Sequence, residues 1–128
     1  MQLRKAVMQL KKLKVTLYNG VVMKIISRAG TTVYIKIKPI VFKDKKLLPN
    51  NFYDMTWYID DTGERTQTII KYLGYEEARR SPNKLWFHII YSERNSEVNG
   101  ENMFTNENTE SKIEVKSISK EEALIYAL

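Results

Sequence analysis

The chain has no cysteine, one histidine, three prolines and five glycines in 128 residues. Without cysteine there is no disulfide, no thiolate metal site and no thiol nucleophile. With His88 as the lone histidine, no second imidazole can complete a zinc site. The five glycines are isolated, so the sequence holds no glycine-rich phosphate loop, and no nucleophile elbow appears either. No apolar run approaches the length of a membrane span, and the basic start lacks a signal-peptide core. These absences lead us to expect a soluble, cytoplasmic protein with no membrane partner, no cofactor, no metal and no catalytic group.

A further scarcity is local. The first 48 residues hold twelve Lys or Arg and one acid, Asp44, whereas the other 80 hold nine basic residues and fourteen acids. The halves therefore carry +11 and −5, which gives the net +6. Apolar residues make up 43% and charged residues 28%, both ordinary for a globular chain. The length suits one domain over residues 1–128, with a basic segment over 1–11.

From Lys12 to Lys38 apolar and polar residues alternate with a period of two, the mark of strands with one buried face. Asn19-Gly20 and Ala29-Gly30 stand at the reversals. Three-residue loops, Tyr18-Asn19-Gly20 and Arg28-Ala29-Gly30, keep the apolar positions in register. They pair Leu17 with Val21, Val15 with Met23, Ile25 with Val33 and Met23 with Ile35. Each glycine then takes the left-handed position of a bulged turn. The expected product is a three-stranded meander whose outer face carries Lys12, Lys14, Lys24, Tyr34, Lys36 and Lys38, with Val22 and Ile26 among them.

Ile40 to Phe42 continue the third strand to a polar turn at Lys43–Lys46, and Met55, Trp57 and Ile59 alternate as a fourth strand. Asp61 with Glu64 resembles a capping box ahead of Ile69, Ile70 and Leu73, with Gly74 as a C-cap, which predicts a central helix. The β-branched Thr66, Thr68, Ile69 and Ile70 offer a competing strand over Arg65–Tyr72. Leu85 to Tyr91 reads as a strand buried on both faces. Residues 93–110, with five asparagines and five glutamates, read as a mobile acidic loop. Ile113 and Val115 mark a last strand, and Ser119 with Glu122 opens a short C-terminal helix. The expected class is α+β on a small antiparallel sheet. Its element order, three strands, a fourth strand, a helix, two strands and a terminal helix, resembles that of an oligonucleotide-binding barrel (three strands, helix, two strands) with additions.

The lysine face gives the leading functional expectation, a small, basic, non-enzymatic nucleic-acid-binding protein of low sequence specificity. Lysines about 5 Å apart across strands and about 7 Å apart along one can follow successive phosphates. Tyr34 can stack a base and Arg28 extends the patch. Single-stranded or structured nucleic acid suits such a sheet better than a duplex major groove. Arg79, Arg80 and Lys84 form a secondary basic cluster around Ser81-Pro82. The alternative expectation is a protein-interaction module or inhibitor binding an acidic protein partner, with homo-oligomerisation through an edge strand or the terminal helix. A third reading, a metal-dependent nuclease, rests on Asp60 and Asp61 with Asp54, Glu64, Glu76 and Glu77, although turn and capping roles already account for Asp61. His88, inside an apolar strand, reads as a packed or hydrogen-bonded residue.

Overall fold

The structure, a computed structural model, describes residues 22–59 and 62–128. The first expected hairpin, with Lys12 and Lys14, lies outside the described residues, as do Asp60 and Asp61.

The second hairpin has the register that alternation requires. Strands β1 (Val22–Ile26) and β2 (Thr32–Lys36) pair antiparallel, with Met23 opposite Ile35 and Ile25 opposite Val33. Ser27 N–H donates to Thr31 O at 2.9 Å and closes a three-residue loop, Arg28-Ala29-Gly30. Gly30 sits at φ +88°, where a side chain would clash with its own backbone. Ile25 and Ile35 are buried, and Lys24, Ile26 and Tyr34 are exposed.

Residues 39–47 turn back on themselves rather than extending β2. Strands β3 (Ile40–Phe42) and β4 (Lys45–Leu47) form a separate two-stranded sheet across a two-residue turn. Lys43 and Asp44 both have positive φ, 52° and 65°, as a turn of the mirror-image type I demands. Leu48–Asn51 form the next turn, in which Asn51 N–H donates to Leu48 O and Asn50 takes φ +67° after Pro49.

Strands β5 (Phe52–Ile59) and β6 (Glu64–Glu76) then form a hairpin, followed by β7 (Lys84–Ser92), β8 (Asn102–Asn106) and β9 (Lys112–Ile118). The expected central helix is therefore a 13-residue strand. Its β-branched residues suit an extended chain, and both edges of β6 find partners, β5 along 64–71 and β7 along 68–76. Thr62 and Glu64 belong to the β5–β6 turn, where Glu64 N–H donates to Thr62 Oγ1.

Because Thr68–Lys71 pair with β5 and β7 together, those strands occupy opposite edges of β6. Tyr75 pairs with Lys36 of β2 and with Leu85 of β7, so β2 joins the β5 edge beyond the end of β5. The seven-stranded sheet thus branches at β6 and does not close into a barrel. Bulges between Ile69 and Ile70 and between Tyr72 and Gly74 accompany the branch. A side chain at Gly74 (φ +150°) would put its Cβ 2.2 Å from Lys36 O, so glycine is what lets β2 approach.

Residues 93–110 are built rather than wholly irregular. Ser96–Val98 form a 3-10 turn that buries Val98, and β8 pairs with β7. Composition hid this strand because Met103 and Phe104 are its only large apolar residues.

Alternation along the strands separates two clusters. Tyr53, Met55, Ile70, Tyr72, Leu85, Phe87 and Ile113 build the larger one, which the β3–β4 hairpin covers with Phe42 and Leu47, both fully buried. Burying each of those two side chains contributes about 1.5–3 kcal/mol. Trp86 and Leu73 point to the opposite face and meet Ile25 and Ile35 of the β1–β2 hairpin. The same opposite face carries Asp54 and Gln67 under helix α1 (Lys120–Tyr126). Ser119 and Glu122 form the expected capping box there, Ala123 is buried, and Tyr126 packs on Tyr91 at 5.6 Å.

Candidate nucleic-acid interface

The outer face of β1–β2 is built by register alone. Lys24 stands directly across from Tyr34, and Val22 across from Lys36. Tyr34 is 49% exposed, enough of its ring for another flat group to pack on. Lys38 is exposed just beyond β2, and its carbonyl accepts a 2.9 Å hydrogen bond from the buried Tyr72 hydroxyl. That bond fixes the chain where it leaves the sheet. Burial of Tyr72, with Tyr75 and Tyr53 nearby, pushes its phenol well above the ordinary tyrosine range, so it remains a donor.

Acids from the second half of the chain meet this face. Lys36 Nζ pairs with Glu77, and the hydrogen bond between them raises the lysine pKa and lowers that of the carboxyl. Lys38 also helps to hold Glu77 ionised. Arg28 lies in the hairpin turn rather than on the strand face. Its Nε is 3.0 Å from Glu101 Oε1, an ionic approach that does not reach hydrogen-bond alignment. Lys24 and Lys38 make no ion pair among the described residues.

The secondary cluster divides. Arg79 and Arg80 are exposed in the β6–β7 turn, which Ala78 N–H closes by donating to Asn83 Oδ1. They border a hairpin and not a helix end. Lys84 is on β7, opposite Glu76, with its Nζ 4.8 Å from the centre of the Phe104 ring. Phe104 is 45% exposed and packs on Trp86 at 5.1 Å. Arg28 and Lys84, which belong to separate clusters in the sequence, line one recess of about 460 Å³ with Phe104. Sequence reasoning missed Phe104, and the available signal was a pair of large apolar residues, Met103-Phe104, amid polar neighbours.

The carboxylates of the nuclease reading have separate engagements. Asp54 Oδ2 accepts from Gln67 Nε2 at 2.8 Å, Glu76 accepts from Trp86 Nε1 at 3.2 Å, and Glu77 holds Lys36. Among the described residues no three acidic or histidine side chains gather as a metal site. His88 is half-buried, with Nδ1 2.9 Å from Asn102 Oδ1, while Asn102 Nδ2 donates to Ile26 O. This relay ties β8 to the β1–β2 hairpin.

Compared with known proteins, the chain matches no family model, no curated protein and no solved structure. No helix among the described residues is long and apolar enough to cross a membrane.

Proposed function

We propose that this protein binds nucleic acid without acting on it chemically, through the outer face of the β1–β2 hairpin. The observation that carries the reading is the cross-strand pair of exposed Lys24 and half-exposed Tyr34, with Lys36 on the same face and Lys38 exposed just beyond the strand end. Those three lysines contact phosphates, Tyr34 stacks a base, and Arg28 extends the surface at the turn. Lys12 and Lys14, which lie outside the described residues, enter the proposal only through the alternation of the sequence. The Lys36–Glu77 pair is open to water, where salt screens it and a phosphate competes readily for the ammonium.

Lysine is a hydrated point charge and does not read base edges bidentately, so specificity is low and single-stranded or structured nucleic acid is the expected ligand. This reading rests on a hairpin face and needs no barrel. A cytoplasmic setting accords with the cysteine-free composition. The test is affinity for a labelled oligonucleotide across a salt series, for the natural chain and for a variant with Lys24, Lys36 and Lys38 changed to Gln.

A second reading, a module for protein partners, draws on one observation. Helix α1 exposes Leu124 (45%), Ile125 (66%) and Tyr126 (40%). Self-association would use this helix rather than the edge strand β9, which presents exposed Lys112, Glu114 and Lys116 that discourage edge pairing. Failure to bind oligonucleotide at low salt, with concentration-dependent mass, would favour that reading.

A further inference from the structure

The β3–β4 hairpin covers only one end of the larger cluster's face. Beyond it the sheet is open as a groove of about 700 Å³, with Trp57 and Met103 partly exposed along it and Met55, Ile70 and Phe87 buried directly beneath. That volume lies in the range of small-molecule sites, about 300–1,000 Å³. The Met103 thioether on the surface, over the buried Met55, makes this base adaptable, which suits a flexible aliphatic chain. Thr66 and Thr68, facing the same side of β6 at alternate positions, add hydroxyls along one wall.

The charge at the rim has one sign. Arg28 and Arg94 border the groove, and no carboxylate is among its described lining residues. Arg28 is partly offset by Glu101, whereas Arg94 is exposed and makes no ion pair among the described residues. A guanidinium fork matches a carboxylate through two parallel hydrogen bonds. We infer that the groove binds an aliphatic monocarboxylate of medium chain length, its tail on this adaptable base and its head group held by Arg94. The lining residues include threonine and serine hydroxyls and two arginines but no lysine, so a single carboxylate fits better than a polyphosphate.

This site shares only Arg28, in the hairpin turn, with the nucleic-acid reading and does not rest on it. The β1–β2 hairpin packs on the opposite face of the sheet, so its outward lysines point away from the groove. The experiment is calorimetric titration of the full chain with decanoate, alongside tryptophan emission. Trp57 borders the groove, and Trp86 is only 4% exposed in the other cluster. Decanoate is expected to bind saturably and to shift an emission component that Trp57→Phe removes. Arg94→Gln, at an exposed position that folding does not need, should weaken decanoate about tenfold and leave decanol unchanged. The Lys24, Lys36 and Lys38 triple variant should bind decanoate as the natural chain does. Absence of saturable heat with decanoate would overturn the inference. So would equal affinity for decanoate and decanol with no effect of Arg94→Gln.

Discussion

Changing Gly74 to alanine would drive a methyl group into the point where β2 meets β6. Its carbon would lie 2.2 Å from Lys36 O, 3.1 Å from Lys36 C and 3.3 Å from Ile35 Cδ1. The first contact is with backbone, so no side chain can swing aside; β2 must retreat by about 1 Å to restore an ordinary contact. Overpacking of this kind costs about 1–3 kcal/mol, and a non-glycine residue at so positive a φ adds about 1–3 kcal/mol. We expect a total of about 2–6 kcal/mol, less whatever is recovered if the hairpin undocks. Undocking is the easier relaxation, because a single register pair, Lys36 with Tyr75, joins β2 to β6. Urea unfolding should show a lower midpoint, and Trp86, buried against the hairpin, should emit further to the red. The hairpin amides, Met23 to Ile35, should exchange faster than those of β5 and β9. A Gly74→Ala variant within about 0.5 kcal/mol of the natural chain, a surface-like effect, and with unchanged Trp86 emission would refute the reasoning.

Three more outcomes follow from named contacts. Glu77→Gln removes the carboxylate that competes with phosphate for Lys36 and should strengthen oligonucleotide binding, while the log–log salt slope stays near that of the natural chain because Lys36 already counts among its contacts. Acid should act in the same direction: Lys36 holds the Glu77 pKa below its ordinary value, so the pair persists above that lowered value and is lost as pH falls through it. Comparing the acid dependence of binding in the natural chain and in Glu77→Gln checks this, since the variant should lack that component. Ser119→Ala removes the oxygen that accepts from Glu122 N–H at 3.0 Å and should destabilise α1 by about 1 kcal/mol. Its signature would be faster exchange at Ala123 and weaker Tyr126–Tyr91 packing, with Trp86 unchanged.

Some of this fold was legible in the sequence, and the reason is local. Met23, Ile25, Val33 and Ile35 admit one register that keeps them together, and Gly30 supplies the only glycine for the turn. The capping box at Ser119 was equally readable, because its partner lies three residues away. Strand β6 was not, since Ile69, Ile70 and Leu73 also have helical spacing, and what decides the matter is non-local. Both edges of the segment are paired, and a helix could satisfy neither β5 nor β7. Gly74 looked like a helix cap and is instead a close backbone approach, a distinction visible only once Lys36 is beside it. The groove was hidden for a similar reason: Trp57, Phe87 and Met103 come from three strands, and only the pairing order brings them together. On the lysine face, alternation gave the positions of Lys24, Tyr34 and Lys36 but not the acids, Glu77 and Glu101, that reach the same hairpin from distant segments.

The salt dependence of oligonucleotide affinity tests the central proposal most directly. The account predicts a log–log slope of about −2 for a single strand when Lys24, Lys36 and Lys38 each meet a phosphate, and steeper if Lys12 and Lys14 add contacts. Changing the three lysines to Gln should remove about 2 units of that slope. A slope that stays the same in the triple variant, or no binding even at low salt, would contradict it.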